Sequence, residues 1–296
     1  MAGEEAPPRT DEKIALVLGA GGARGFAQIG VIEALEARRM NVVAVSGSSS
    51  GALVGGIYAA GKLREFREEL VRMGRGRFLR LLDPALGKPG ILQGGALVDA
   101  MKEVVGDPLI ETLPKLFTAV AVDLQRHRVV WLRNGPLWDA LRASFAIPGL
   151  FTPHEVDGRA LVDGGLLAPL PITATRLSGA HRLVAVDMHS FPDRPPGEPA
   201  QPQLAAHDPT LMERFGGWFG KRLAGDHDAM GIVELMSSSL DTMQAQIARV
   251  ELALDPPELV IRIPRDACQF YEFWRAAELI EIGRAEAEKA LDAAGY

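Results

Sequence analysis

Two glycine-rich turns, each placed where an apolar run gives way to a helical pattern, constrain this chain more than any other feature. Gly19-Ala20-Gly21-Gly22-Ala23-Arg24-Gly25 follows Ile14-Ala15-Leu16-Val17-Leu18, and Gly47-Ser48-Ser49-Ser50-Gly51 follows Val42-Val43-Ala44-Val45. Strand, tight turn and helix, taken twice in succession, make the repeating unit of a parallel sheet covered by helices, so the expected class is α/β. The second turn reads as G-x-S-x-G in one frame only, with Ser49 as the serine. Such an elbow presents a hydroxyl at a strained strand-to-helix turn, beside backbone N–H groups able to stabilise an oxyanion. Together the turns point to acyl transfer.

The rest of the chain extends the pattern. Phe26, Ile29, Ile32 and Leu35 form an apolar helical stripe after the first turn, and a small-residue helix is expected over 51–61. Leu116–Leu124 and His127–Leu132 read as two strands, 136–144 as a short helix, and 155–162 as a tight hairpin about Asp157-Gly158. Further strands are expected at 183–188 and 259–263, and an amphipathic helix over 271–293. Residues 1–12 read as a flexible tail, 13–296 as a single domain, 192–209 as a Pro-rich loop within it, and 210–296 as mainly helical.

Composition narrows the classes. A net charge of −6 provides no overall attraction to nucleic acid or anionic lipid, so a nucleic-acid partner is not expected. The acidic, Pro-containing start lacks the basic and apolar regions of a secretory signal, and no run of eighteen apolar residues occurs. The single Cys268 rules out an internal disulfide or a cysteine-based zinc cluster, and a cytoplasmic location is expected.

Counting G-x-G-x-x-G from Gly19 and Gly21 puts Arg24 in place of the third glycine, and no acid ends the second strand, which disfavours a dinucleotide site. A phosphate-binding P-loop would need Gly-Lys-Ser/Thr, which is absent from this turn. What remains is a run of backbone donors at a helix N-terminus, suited to an oxyanion. Ser48 and Ser50 are alternatives to Ser49, but neither has glycine two residues away on both sides. Serine needs a base. The candidates are Asp163, in Leu161-Val162-Asp163-Gly164-Gly165, and six histidines (127, 154, 181, 189, 207 and 227), none in a recognisable motif.

Four blocks in order, Gly21-Gly22-Ala23-Arg24-Gly25, Gly47-Ser48-Ser49-Ser50-Gly51, Ala143-Ser144-Phe145-Ala146-Ile147-Pro148 and Asp163-Gly164-Gly165, resemble those of the bacterial type of patatin-like phospholipases. The resemblance spans about Ile14 to His189. It implies a three-layer α/β/α sandwich with a mostly parallel sheet, and a Ser-Asp dyad that works without histidine, metal or cofactor. Ser49 would be the nucleophile and Asp163 the base, with Gly21, Gly22 and Ala23 as oxyanion hole. Arg24 and Gly25 would support that loop, and Gly47 and Gly51 would shape the elbow. The Ala143–Pro148 block would order a loop beside the site. Ala20 stands where the family often has a third glycine, so a positive φ there would be strained.

The implied substrate is a phospholipid or lysophospholipid, with no nucleic-acid partner. Met212, Phe215, Trp218, Phe219 and Leu223, beside Lys221 and Arg222, form a stripe that could serve as a lid, touch the inner membrane face through Trp218 and Phe219, or pack on the protein itself. Two other readings stand beside this one. One is a general esterase, thioesterase or acyltransferase with a triad such as Ser49, His189 and Asp163; the other is a noncatalytic lipid-binding regulator.

Overall fold

The computed structural model describes residues 12–81, 83, 92–176, 178–191 and 228–296. The expected tail before Glu12, the loop at 192–209 and the Met212–Leu223 stripe lie outside the described residues.

Eight described strands form one sheet: β1 (Lys13–Leu18), β2 (Asn41–Ser48), β3 (Leu116–Asp123), β4 (Arg128–Leu132), β5 (His154–Val156), β6 (Arg159–Asp163), β7 (Arg182–Ser190) and β8 (Leu259–Pro264). Their order is β5-β6-β3-β2-β1-β7-β8, with β4 also paired to β3. Pairing is parallel from β3 through β8 and antiparallel where β4, β5 and β6 join.

Alternation along β1 builds the layers. Ile14, Leu16 and Leu18 enter the large core shared with α1 (Ala27–Ala37), α2 (Ser50–Ala59) and the C-terminal helix Ala276–Ala294, while Val17 joins Leu170, Ile172 and Ala185 on the other face. Ala248, from the long helix Asp228–Leu254, closes that second face. The result is the expected α/β/α sandwich. A short 3-10 turn, Gly22–Phe26, precedes α1.

Three helices were not foreseen: α3 (Leu63–Arg72), α4 (Arg75–Arg80) and α5 (Gly95–Val105). They are followed by α6 (Leu137–Ser144); the helices at 228–254 and 276–294 are α7 and α8. Among the described residues no helix is long and apolar enough to cross a membrane.

The pairing around β3 has a direct bearing on function. β2 lies along Leu116–Val120 and β6 along Ala121–Asp123, while β4 pairs residues 119–123 from the opposite edge. β2 and β6 therefore meet head-on along one edge of β3. Ser48 is opposite Val120, and Asp163 is opposite Ala121, the very next residue. Ser49, the residue after β2, and Asp163, 114 residues further along the sequence, are thereby brought side by side.

Candidate active site

The elbow follows from the end of β2. Ser49 has φ 56° and ψ −125°, a conformation that L-residues rarely adopt, and its carbonyl accepts from Leu53 N at 3.1 Å to start α2. The flanking glycines are needed for space rather than dihedral freedom. A Cβ on Gly47 would lie 2.4 Å from Gly51 O, and one on Gly51 would lie 2.2 Å from Leu18 O. Strand, turn and helix are pressed together, which leaves the Ser49 side chain in the cleft.

Ser49 Oγ donates to Asp163 Oδ2 at 2.6 Å, and Gly165 N donates to Asp163 Oδ1 at 2.7 Å. Both residues are buried. Burial raises the Asp163 pKa to about 7, against the opposing pull of the Ser49 and Gly165 hydrogen bonds. A carboxylate that would be a feeble base at its ordinary value is thereby matched to neutral pH. Gly164 is required because a Cβ there would sit 2.1 Å from Val120 O.

The block at residues 143–148 touches both partners. Ser144 Oγ accepts from Ser49 N at 3.0 Å and donates to Val120 O at 2.6 Å, while Ala146 O accepts from Asp163 N at 3.0 Å. Its ordering role is thus specific: Ser144 holds the backbone of Ser49 and Ala146 holds that of Asp163.

In the glycine loop, Gly22 adopts φ +56°, and a Cβ there would strike Phe270 at 2.4 Å. Ala20 is not among the residues of positive φ, and its N–H is taken by Pro169 O at 2.8 Å, so the missing third glycine imposes no strain. Ala23 N donates to Phe270 O at 2.9 Å, so this amide is occupied by the protein's own backbone. The Gly21 and Gly22 amides have no acceptor among the described residues, and Gly22 lines the same pocket as Ser49. Gln28 Nε2 holds Gly19 O at 3.0 Å, and Gly25 packs so closely on the elbow helix that a Cβ would lie 2.2 Å from Ser50 Oγ.

Arg24 is not the exposed residue that a helix start would suggest. Its side chain is 5% exposed; Nη1 donates to Arg265 O at 2.7 Å, Nε approaches Gly21 O at 3.4 Å, and Nη2 pairs with Asp241 of α7. Burial pushes the Asp241 carboxyl up, but His189 and Arg24 more than offset this and hold it well below the usual carboxylate range. His189 Nδ1 lies 3.4 Å from Asp241 Oδ1. The imidazole therefore faces the Arg24 partner, while both Asp163 oxygens are occupied by Ser49 and Gly165.

From Ser49 an apolar cavity runs into the protein, with an empty volume of about 1170 Å³ including its open mouth. Phe66 and Leu70 of α3, Met101 of α5, Trp138 of α6, Phe151 and Phe273 contribute to its wall. Trp138 keeps its Nε1–H satisfied by Gly106 O at 2.7 Å, so the wall presents carbon to the cavity. Sequence reasoning had no signal for this wall, because its residues come from helices scattered over the chain. The described residues hold no cluster of metal-binding side chains.

The chain is similar to several known proteins. An "Uncharacterized NTE family protein" from Mycobacterium tuberculosis is 39% identical over 331 aligned positions, covering 95% of this chain and 92% of that protein. "Lysophospholipase NTE1" of Scheffersomyces stipitis is 29% identical over 195 positions, covering 63% of this chain but only 12% of its own length. Among solved structures, VipD from Legionella pneumophila aligns with a TM-score of 0.45 at 15% identity, covering 95% of this chain and 67% of that one. A family profile described as patatin-like phospholipase matches residues 16–176, the stretch that carries the glycine loop, the elbow and the acid turn, and the chain belongs to that family.

Proposed function

We propose that the protein is a lipid acyl hydrolase that cleaves fatty-acyl esters of phospholipid or lysophospholipid through a Ser49–Asp163 dyad and an acyl-enzyme. The observation that carries this reading is the 2.6 Å hydrogen bond from Ser49 to a carboxyl titrating near neutrality, at the end of an apolar cavity. The family membership and the lysophospholipase relative support the lipid ester as substrate.

In the first step Asp163 Oδ2 takes the Ser49 proton while Oγ bonds to the ester carbonyl carbon. The resulting oxyanion accepts from the Gly21 and Gly22 amides, with the N-terminus of α2 adding a favourable field. As the tetrahedral species collapses, the carbon–oxygen bond to the alcohol breaks and Asp163 returns its proton to the leaving oxygen. Water then attacks the acyl-enzyme, giving a proton to Asp163. Collapse releases the fatty acid and restores the Ser49 hydroxyl. The acyl chain occupies the cavity and the polar head stays at its mouth, because the wall offers a charged head no partner. Contact of Trp218 and Phe219 with a lipid surface belongs to the same proposal.

Fluorophosphonate labelling with peptide mass mapping tests it. Labelling at Ser49 is expected in the wild type, is lost in Ser49→Ala and Asp163→Asn, and persists in His189→Ala. A folded wild type that resists labelling, with or without detergent, would refute the dyad and favour a noncatalytic lipid-binding role. Loss of labelling in a folded His189→Ala variant would return the assignment to a histidine triad.

A further inference from the structure

The glycine loop is held by a residue far outside the stretch that matches the family profile, which ends at residue 176. α7 approaches the catalytic loops at three levels. Asp241 pairs with Arg24 and Arg265 and faces His189; Gln244 abuts Gly165, where a Cβ would lie 2.7 Å from its Nε2; and Glu251 Oε2 accepts from Leu170 N at 3.0 Å. These positions lie on the buried side of the helix, with Ala245 and Ala248 between them.

The chain of contacts has a direction. The Arg24 guanidinium is buried, and a buried cation needs a counter-charge in direct contact. Asp241 is the carboxylate that supplies it. With that charge anchored, the remaining guanidinium nitrogens are oriented toward Gly21 O and Arg265 O. The first of these carbonyls belongs to the peptide unit that joins Gly21 to Gly22, and Gly22 lines the cavity beside Ser49. The second belongs to the segment following β8, which leads to Phe270, the acceptor of Ala23 N. Both ends of the loop are thereby tied to one carboxylate. Arg265 Nη2 reaches the other oxygen of the same carboxylate at 3.0 Å, closing the arrangement.

We infer that Asp241 is a positioning residue: acting through Arg24, it fixes the peptide plane between Gly21 and Gly22 and so aims the oxyanion donors, with α7 serving as the clamp that carries it. The inference rests on the hydrolase reading for its catalytic consequence, but the restraint itself does not depend on that reading. Asp241 touches no reacting atom; its effect is on transition-state stabilisation. Loss of its charge therefore lowers kcat and leaves KM unchanged, since the acyl chain binds in a cavity that does not include it.

The test compares wild type, Asp241→Asn, Arg24→Gln and the double variant by hydrolysis of a soluble ester and by hydrogen–deuterium exchange. Asn keeps the shape and an acceptor oxygen, which favours folding; Asp241→Glu serves as the charge-restoring control. Asp241→Asn is expected to lower kcat about tenfold at constant KM, as befits a misaimed but still present donor. Asp241→Glu should recover part of that loss. The same change in the Arg24→Gln background should cost less than about twofold, because the route is already broken. Exchange should rise in peptides covering residues 19–27 and stay unchanged in those covering β2 and β3.

Equal exchange at residues 19–27 in wild type and Asp241→Asn would overturn the inference, as would a rate loss that is the same in both backgrounds. A wild type without hydrolysis or labelling, in which Asp241→Asn still loosens residues 19–27, would sink the hydrolase reading and leave the restraint standing.

Discussion

Asp163→Asn should abolish hydrolysis and yet make the protein more stable at alkaline pH, by an amount that depends on pH in a defined way. In the native state the Asp163 carboxyl is displaced from 3.8 to about 7, chiefly by burial. The fold therefore favours its protonated form. That contribution to stability is complete below about pH 4, the range of an unfolded aspartate, and is lost as pH rises through about 7. At about 1.4 kcal/mol per pH unit, the full displacement corresponds to about 4 kcal/mol. Asparagine does not titrate, and its carbonyl can still accept from Gly165 N. The stability difference, Asp163→Asn minus wild type, should grow by about 4 kcal/mol between pH 4 and pH 8 and then level off. Urea unfolding of both proteins at four or five pH values measures it, with the slope of the denaturant dependence checked for constancy. In the proposed mechanism the same ionisation governs catalysis, so kcat/KM of the wild type on a non-titrating soluble ester should rise with pH through a midpoint near 7. A stability difference that is flat across this range would refute the raised pKa. A kinetic midpoint near 4 would refute the assignment of a buried, neutral-range base.

Three further outcomes follow from the same geometry. Ser49→Gly removes the proposed nucleophile but suits φ 56°, so an inactive protein stabilised by about 1–3 kcal/mol is expected in thermal or urea unfolding; a destabilised variant would argue against backbone strain at the elbow. Ser144→Ala deprives Ser49 N of its acceptor and Val120 O of a donor, which should cost about 1–3 kcal/mol of stability and lower kcat; unchanged kinetics would show that the elbow holds itself. Val98→Phe adds bulk to the cavity wall and should depress hydrolysis of long-chain esters relative to short-chain ones; an unaltered chain-length profile would place the acyl group elsewhere.

The local parts of the site were legible in the sequence because they are set by short-range sterics. Gly47 and Gly51 bracket a turn whose backbone atoms leave no room for a Cβ, and Gly164 meets Val120 O in the same way. Such positions demand glycine whatever the rest of the molecule does, so the motifs show in one dimension. The apolar runs Ile14–Leu18 and Val42–Val45, each ahead of a glycine turn, likewise marked strands of a sheet covered by helices, and the structure buries β1 on both faces. Arg24 could be recognised from its place in the glycine loop, but its burial and its partner could not.

What only the tertiary structure decided is the pairing of groups distant in sequence. Asp163 reaches Ser49 because β6 meets β2 end to end along β3, a consequence of strand order that no local pattern encodes. The rise of its pKa depends on burial by the assembled layers. The cavity wall draws on α3, α5 and α6, whose apolar faces look like any core-facing helix until they are assembled. Asp241 lies in a helix beyond the matched family stretch, and a single carboxylate there carries no signal of its own. The physical reason is the same throughout: steric demands on a turn act over a few bonds and mark the sequence directly, whereas electrostatic and packing demands act through space and mark only the fold.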